Sequence, residues 1–231
     1  MPPTTYTIEV INNNSDPTPY LLFCDVPTAS DNIGKAWINI YTKTPGVGAK
    51  GGSTTISIND STFAVCGMAA QELAPRVSVS TAQSTPVDIG AGKLGLVKMD
   101  IQDDGLIFIP PTAKSTVVGG YQMDCGTWTN AKYPQAFCGI GKIQPNTTQT
   151  KVIPTATWTA KSANSYKVYP KKIFYISTGS YKPGEIVDYA DFGQVATVDF
   201  TGLDETYATV TQAKDGTYDP TTYSFGGMLK N

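Results

Sequence analysis

The segment from Asp124 to Gly139, DCGTWTNAKYPQAFCG, gathers more groups able to grip a ligand than any other stretch of the chain. Trp128, Tyr133 and Phe137 are interleaved there with Asp124, Asn130 and Gln135. An aromatic face suits the C–H side of a pyranose, and amides or carboxylates suit its hydroxyls, so the set fits a carbohydrate or another small polar ligand. Asp124, Trp128, Asn130, Tyr133 and Gln135 are therefore the candidate ligand-binding residues. The competing reading is a long connection whose aromatics merely anchor it in the core.

Other chemistry is thinner. The chain has no histidine, which removes Ser-His-Asp and Cys-His catalysis, His-bearing zinc sites and an imidazole pH switch. An enzyme would have to work through a carboxylate pair, as a glycosidase does, or through a Tyr/Lys/Asp pocket that steers a cyclisation or isomerisation. Asp124, Asp188, Asp191 and Lys132 are the residues such a reading would use, and none stands in a motif. Asp188, Asp191, Asp199, Asp204 and Glu205 make the C-terminal part acidic. Their spacing matches no EF-hand loop, so a solvated acidic edge is expected, with no metal and no cofactor.

The four cysteines, Cys24, Cys66, Cys125 and Cys138, form no CxxC and fit no zinc spacing. Three of them precede glycine, as small buried residues at strand ends would. A disulfide between Cys125 and Cys138, closing the intervening loop at its base, is the sharper alternative.

Net charge is −2, and Arg76 is the single arginine among lysines that form no patch. That excludes the bidentate readout on which nucleic-acid recognition leans. No run of 18 apolar residues offers a transmembrane helix. The N-terminus, MPPTTYTIEV, lacks the basic and apolar regions of a secretion signal, so a cytoplasmic location is expected. Sequons at Asn13, Asn59 and Asn146 would matter only on a secreted form.

The elements that must position these groups follow from period-two alternation, as of Tyr6, Ile8 and Val10 against Thr7 and Glu9. No helical period is sustained over ten residues. With 22 glycines and 16 prolines, the chain reads as an all-β protein, an antiparallel β-sandwich with at most a short helical turn near 69–73 before Pro75. One domain over 1–231 is expected, the alternative being two immunoglobulin-like sandwiches split as 1–111 and 112–231. Tyr20 to Val26 should lie deep. Trp37 and Tyr41 share a strand face that should pack on a second layer. Thr42 to Gly52 reads as a mobile hairpin connection whose glycines form no phosphate loop, Val77 and Val79 as part of a strand, and the tail 215–231 as partly loose.

The strongest local signal is Leu94 to Pro111, where Asp-Gly separates two apolar runs. A three-residue loop, Asp103-Asp104-Gly105 with Gly105 left-handed, would pair Ile101 with Ile107 and Met99 with Ile109. Leu106 to Ile109 is apolar on both faces, which places that arm at the centre of a covered sheet.

The function that fits best is a non-catalytic, lectin-like β-sandwich that recognises a carbohydrate or other small polar ligand. Self-association into a homo-oligomer is a further expectation, since long sheet edges invite it unless blunted. An enzyme without catalytic histidine is the first alternative. The second is a pore-forming or membrane-active β protein, because Ser53 to Ile89 resembles bilayer-inserting strands in composition.

Overall fold

A computed structural model describes residues 3–30, 33–146 and 150–226. Among these the chain is nearly all β, with two single 3-10 turns, Asn130–Lys132 and Tyr189–Asp191, as its helical elements. The strands begin with β1 (Thr5–Asn12), β2 (Tyr20–Cys24), β3 (Thr28–Ala29), β4 (Trp37–Lys43), β5 (Gly52–Asn59) and β6 (Thr62–Met68). There follow β7 (Gln83–Val87), β8 (Leu94–Gln102), β9 (Gly105–Lys114), β10 (Tyr121–Cys125), β11 (Ala136–Ile143) and β12 (Val152–Thr159). The last are β13 (Ser165–Tyr169), β14 (Ile173–Thr178), β15 (Ile186–Val187), β16 (Ala196–Asp199), β17 (Tyr207–Gln212) and β18 (Thr222–Ser224).

These strands form three sheets that pack as a sandwich-like assembly. A four-stranded sheet has the order β18-β17-β1-β5 and a five-stranded sheet the order β3-β13-β10-β8-β9. A nine-stranded sheet runs β16-β14-β2-β4-β12-β11-β6-β7, with β15 beside β4, and takes strands from both sides of Pro111. Most neighbours are antiparallel, but β1 with β17 and β8 with β10 are parallel.

Alternation decides what each face meets. In β1, Tyr6, Ile8 and Val10 are buried while their neighbours stay partly wet. Strand β2 is buried on both faces, as its apolar run implies. Its Tyr20, Leu22 and Cys24 join β1 and β5 in one core, whereas Leu21 and Phe23 meet Ile40, Tyr181 and Val187. The other wing of the long sheet follows the same rule. Cys66, Cys138, Ala156 and Trp158 pack on Val97, Met99, Tyr121 and Tyr166 of the five-stranded sheet, while Phe137 turns away to Ala69, Leu73, Val77 and Val79. Tyr41 likewise joins a core, as its strand face requires.

Amides do part of the buried polar work, beside the buried ions Lys142 and Glu185, which pair with Asp60 and Arg76. Asn39 is fully buried, donates to Gly184 O (3.1 Å) and accepts from Thr157 Oγ1 (2.9 Å). Gln212 accepts the Tyr20 hydroxyl at 2.7 Å. Satisfied amides avoid the desolvation cost that buried ions would carry.

The central hairpin forms in a different register. Its turn is the two-residue pair Asp103-Asp104, both left-handed at φ 48° and 58°, which aspartate tolerates, and Gly105 is the first residue of β9. Ile101 therefore faces Leu106 and Met99 faces Phe108, a match of apolar with apolar as good as the expected one. Nor is the return arm central: β9 is an edge strand. The two-residue turn makes Gln102 and Gly105 a hydrogen-bonded pair, so Leu106, Phe108 and Pro110 turn their backbone groups outward. There Leu106 O accepts the Cys66 thiol (3.6 Å), Phe108 N donates to Gln83 Oε1 (2.7 Å), and Pro110 has no N–H. Two other edges are closed alike. Asn146 donates to Thr55 O and accepts from Ser57 N on β5, and Thr221 and Tyr223 cap Thr197 O and Asp199 N on β16.

Further expectations are corrected. Thr42 to Gly52 is no hairpin connection, because β4 and β5 lie in different sheets; Thr18 and Val47 pair across it, and Val47 is buried. Residues 69–73 form bends, not a helical turn, since Ala69 N is drawn to Gln135 O (3.0 Å) and Leu73 to the Phe137 cluster. Around Val77 and Val79 the pairing shrinks to one bridge, Ser78 with Glu185. All four cysteines are free thiols; Cys138 stands opposite Cys66 across β11 and β6, while Cys125 belongs to another sheet. In the tail, Tyr218 and Tyr223 pack on the first core, and residues 227–231 lie outside the described residues.

Candidate functional site

The loop between β10 and β11 is fixed from its first residue. Gly126 N donates to Met99 O (2.7 Å), and a Cβ at Gly126 would lie 2.4 Å from the Asp100 carboxylate, which would have to swing aside for any larger residue. Trp128 N then donates to Ser162 Oγ (2.7 Å), and Ser162 N donates to Asn130 Oδ1 (2.8 Å). The short turn Asn130–Lys132 delivers Tyr133 to the tip of the β8-β9 hairpin. There the Tyr133 hydroxyl donates to Asp104 Oδ1 at 2.7 Å, and Lys132 Nζ reaches the same oxygen at 3.0 Å. The Tyr133 hydroxyl, and then Lys132, hold the Asp104 carboxyl below its ordinary value of 3.8. In return Tyr133 and then Asp104 push the Lys132 ammonium up to about 12.

Beside this anchored tyrosine lies an open groove of about 380 Å³. Asn130 and Tyr133 line it from one side, Glu72 and Leu73 from the segment after β6, and Thr159 and Lys161 from the end of β12. One aromatic ring thus stands among an amide, a carboxylate, a hydroxyl and an ammonium. Asn130 Oδ1 already accepts from Ser162, which leaves its amide hydrogens to offer. The groove has one carboxylate, so the carboxylate pair of a glycosidase is not assembled in it.

Asn130 and Tyr133 are the two candidates that the structure brings together. Asp124 lies on β10, where its Oδ1 accepts from Gln122 Nε2 (2.8 Å) and Ser165 Oγ (2.6 Å). Trp128 is half-buried against the second core, with its indole N–H sealed from solvent and unpartnered. Gln135 lends its carbonyl to Ala69, and Phe137 is fully buried. Asp104, Glu72, Thr159 and Lys161 went unnoticed in the sequence. The Asp-Asp-Gly signal reports a turn and not what its carboxylate meets; the other three carry no local signal.

Asp188 and Asp191 have structural partners. Asp188 accepts from Ala190 N (3.1 Å) at the start of the turn Tyr189–Asp191, and Asp191 accepts the Tyr181 hydroxyl (3.2 Å). Among the described residues no three cysteine, aspartate or glutamate side chains converge to hold a metal ion. No helix among them is long and apolar enough to cross a membrane. No protein-family model, curated protein or solved structure matches this chain.

Proposed function

We propose that the protein is a non-catalytic binding module whose groove at Tyr133 takes a small polar, hydroxyl-rich ligand of the carbohydrate class. One observation carries this reading: a tyrosine ring, clamped by Asp104 at the lip of the groove, faces a wall that supplies Asn130, Glu72, Thr159 and Lys161. The ring offers a face for C–H groups, and the polar side chains supply donors and acceptors at its margin. At about 380 Å³ the groove is near the lower end for small-molecule sites, which suits a mono- or disaccharide. The sealed margins of β9, β5 and β16 favour action as a monomer over edge-to-edge assembly.

The test is a glycan array followed by calorimetry on the hits. Binding should fall at least tenfold in Tyr133→Ala and weaken in Asn130→Ala, with the cooperative fold of both variants retained. An array without hits, or hits indifferent to both substitutions, would overturn the reading.

A further inference from the structure

Three large apolar side chains stand exposed together at one end of the five-stranded sheet. Ile89 (39% exposed) lies between β7 and β8, Leu94 (51%) opens β8, and Val118 (81%) lies between β9 and β10. The other exposed large apolar side chains among the described residues, Tyr189, Leu203 and Phe225, stand on separate segments. Single cases need no explanation, whereas three on adjoining loops make a patch.

The backbone laces these loops to each other. Asp88 N donates to Leu94 O (2.9 Å), Gly90 N to Gly120 O (3.0 Å) and Gly92 N to Ser115 O (2.7 Å), while Ser115 N donates to Lys93 O (2.8 Å). Gly92 and Gly119 have positive φ, 77° and 73°, which glycine adopts without strain. A Cβ on either would meet nothing within 4 Å, so both turns stand clear of the rest of the molecule.

We infer that this tip docks on the surface of an anionic lipid bilayer. Its exposed side chains supply both parts of such a contact: Ile89, Leu94 and Val118 are aliphatic, and Lys93 and Lys114 beside them are exposed. Aliphatic side chains enter the boundary between headgroups and acyl chains, and lysines meet the anionic headgroups. Asp88 is the acidic residue of 88–94 and 114–120, so two lysines less one aspartate leave the tip positive in a chain of net charge −2. These loops contain no aromatic residue and no arginine, the types that protein partners favour, while lysine is the type they avoid.

The tip is remote from the groove at Tyr133. Strand β8 runs nine residues from Leu94 to Gln102, roughly 25–30 Å, so the docking tip and the Asp104 clamp occupy opposite ends of one hairpin. A molecule seated on a bilayer by this tip would hold that groove away from the lipid.

The test is flotation of the full chain with vesicles of phosphatidylcholine alone and of phosphatidylcholine with phosphatidylserine. The chain should float with the anionic vesicles and at least tenfold less with the neutral ones, and added salt should weaken the binding. Leu94→Ser with Val118→Ser removes apolar contact, and Lys93→Ala with Lys114→Ala removes charge; each pair should weaken flotation at least tenfold. All four side chains are exposed, so the unfolding midpoints should stay close to that of the parent. Tyr133→Ala should float as the parent does, and the vesicles should retain a trapped dye, since a surface contact opens no pore. Absence of flotation, equal binding to neutral vesicles, indifference to either pair of substitutions, or dye release would overturn the inference. Self-association that the Leu94 and Val118 pair abolishes, without flotation of the parent, would assign the patch to a second copy of the chain and overturn it as well.

Discussion

On the face of β11 turned to the five-stranded sheet, Cys138 meets Trp158, Tyr166, Met99 and Met123 in an interior packed mainly by apolar contact. On the opposite face, Phe137 meets the segment 69–79, which is held down by polar staples. Arg76 lies 3.5 Å from Glu185 and 3.8 Å above the Tyr181 ring, and its backbone N–H donates to Ile186 O. On the first face burial pushes the Cys66 thiol up to about 12. The stapled segment lends Glu72 and Leu73 to the groove at Tyr133. Dense packing supplies stability, and chain tied at a few points leaves the gaps through which a ligand can enter.

The largest effect should come from breaking the apolar face. Trp158→Ala should cost ~3–5 kcal/mol in urea unfolding, since the side chain is fully buried. Trp158→Phe should cost markedly less. The indole N–H has no hydrogen-bond partner of good geometry, though it lies close enough to Cys138 to oppose slightly the burial that raises that thiol. Equal losses for the two variants would show that the N–H matters more than the volume.

Breaking the stapled face should cost less. Arg76→Ala leaves Glu185, whose side chain is 11% exposed, without its cation, and about 1–2 kcal/mol is expected for a pair half open to solvent. Hydrogen exchange should quicken at Val77 and Ile186 and stay slow at Cys138; uniform quickening would mean that the two faces are not separable. Gln83→Ala removes the acceptor of Phe108 N–H and should cost ~1 kcal/mol. Sedimentation at rising concentration should then reveal association absent from the parent protein.

The smallest effect belongs to the Asp104 clamp. Its carboxyl titrates below the ordinary 3.8, so the clamp is complete above that value and is lost as pH falls through the lower folded value. Carboxyl chemical shifts should place the Asp104 midpoint below 3.8 and return it upward in Tyr133→Phe. An unchanged midpoint would detach Tyr133 from the hairpin tip.

Period two made β1, β2, β14 and β17 legible, because burial of one or both faces writes itself into adjacent side chains. The hairpin was legible in place but not in register, since Ile101 and Met99 find apolar partners in either arrangement. The edge position of β9 was hidden: Gln83 lies far away in sequence, and a backbone N–H bound by a distant amide leaves no mark on the local pattern. For the candidate site the aromatic loop was visible, yet Trp128 and Tyr133 look alike in sequence and both pack partly on the second core; what separates them is the hairpin tip, which holds the Tyr133 hydroxyl. Glu72, Thr159 and Lys161 come from remote segments, and only tertiary structure assembles them.

Sealing β9 with a borrowed glutamine has a consequence for how the molecule keeps company with itself. Amyloid-like stacking and strand donation both start from a bare peptide ladder that an incoming chain can copy. Here Leu106 O and Phe108 N are occupied and Pro110 has no N–H, so this stretch of the margin is a poor template. Crowding should therefore be tolerated for as long as that one side chain stays in place.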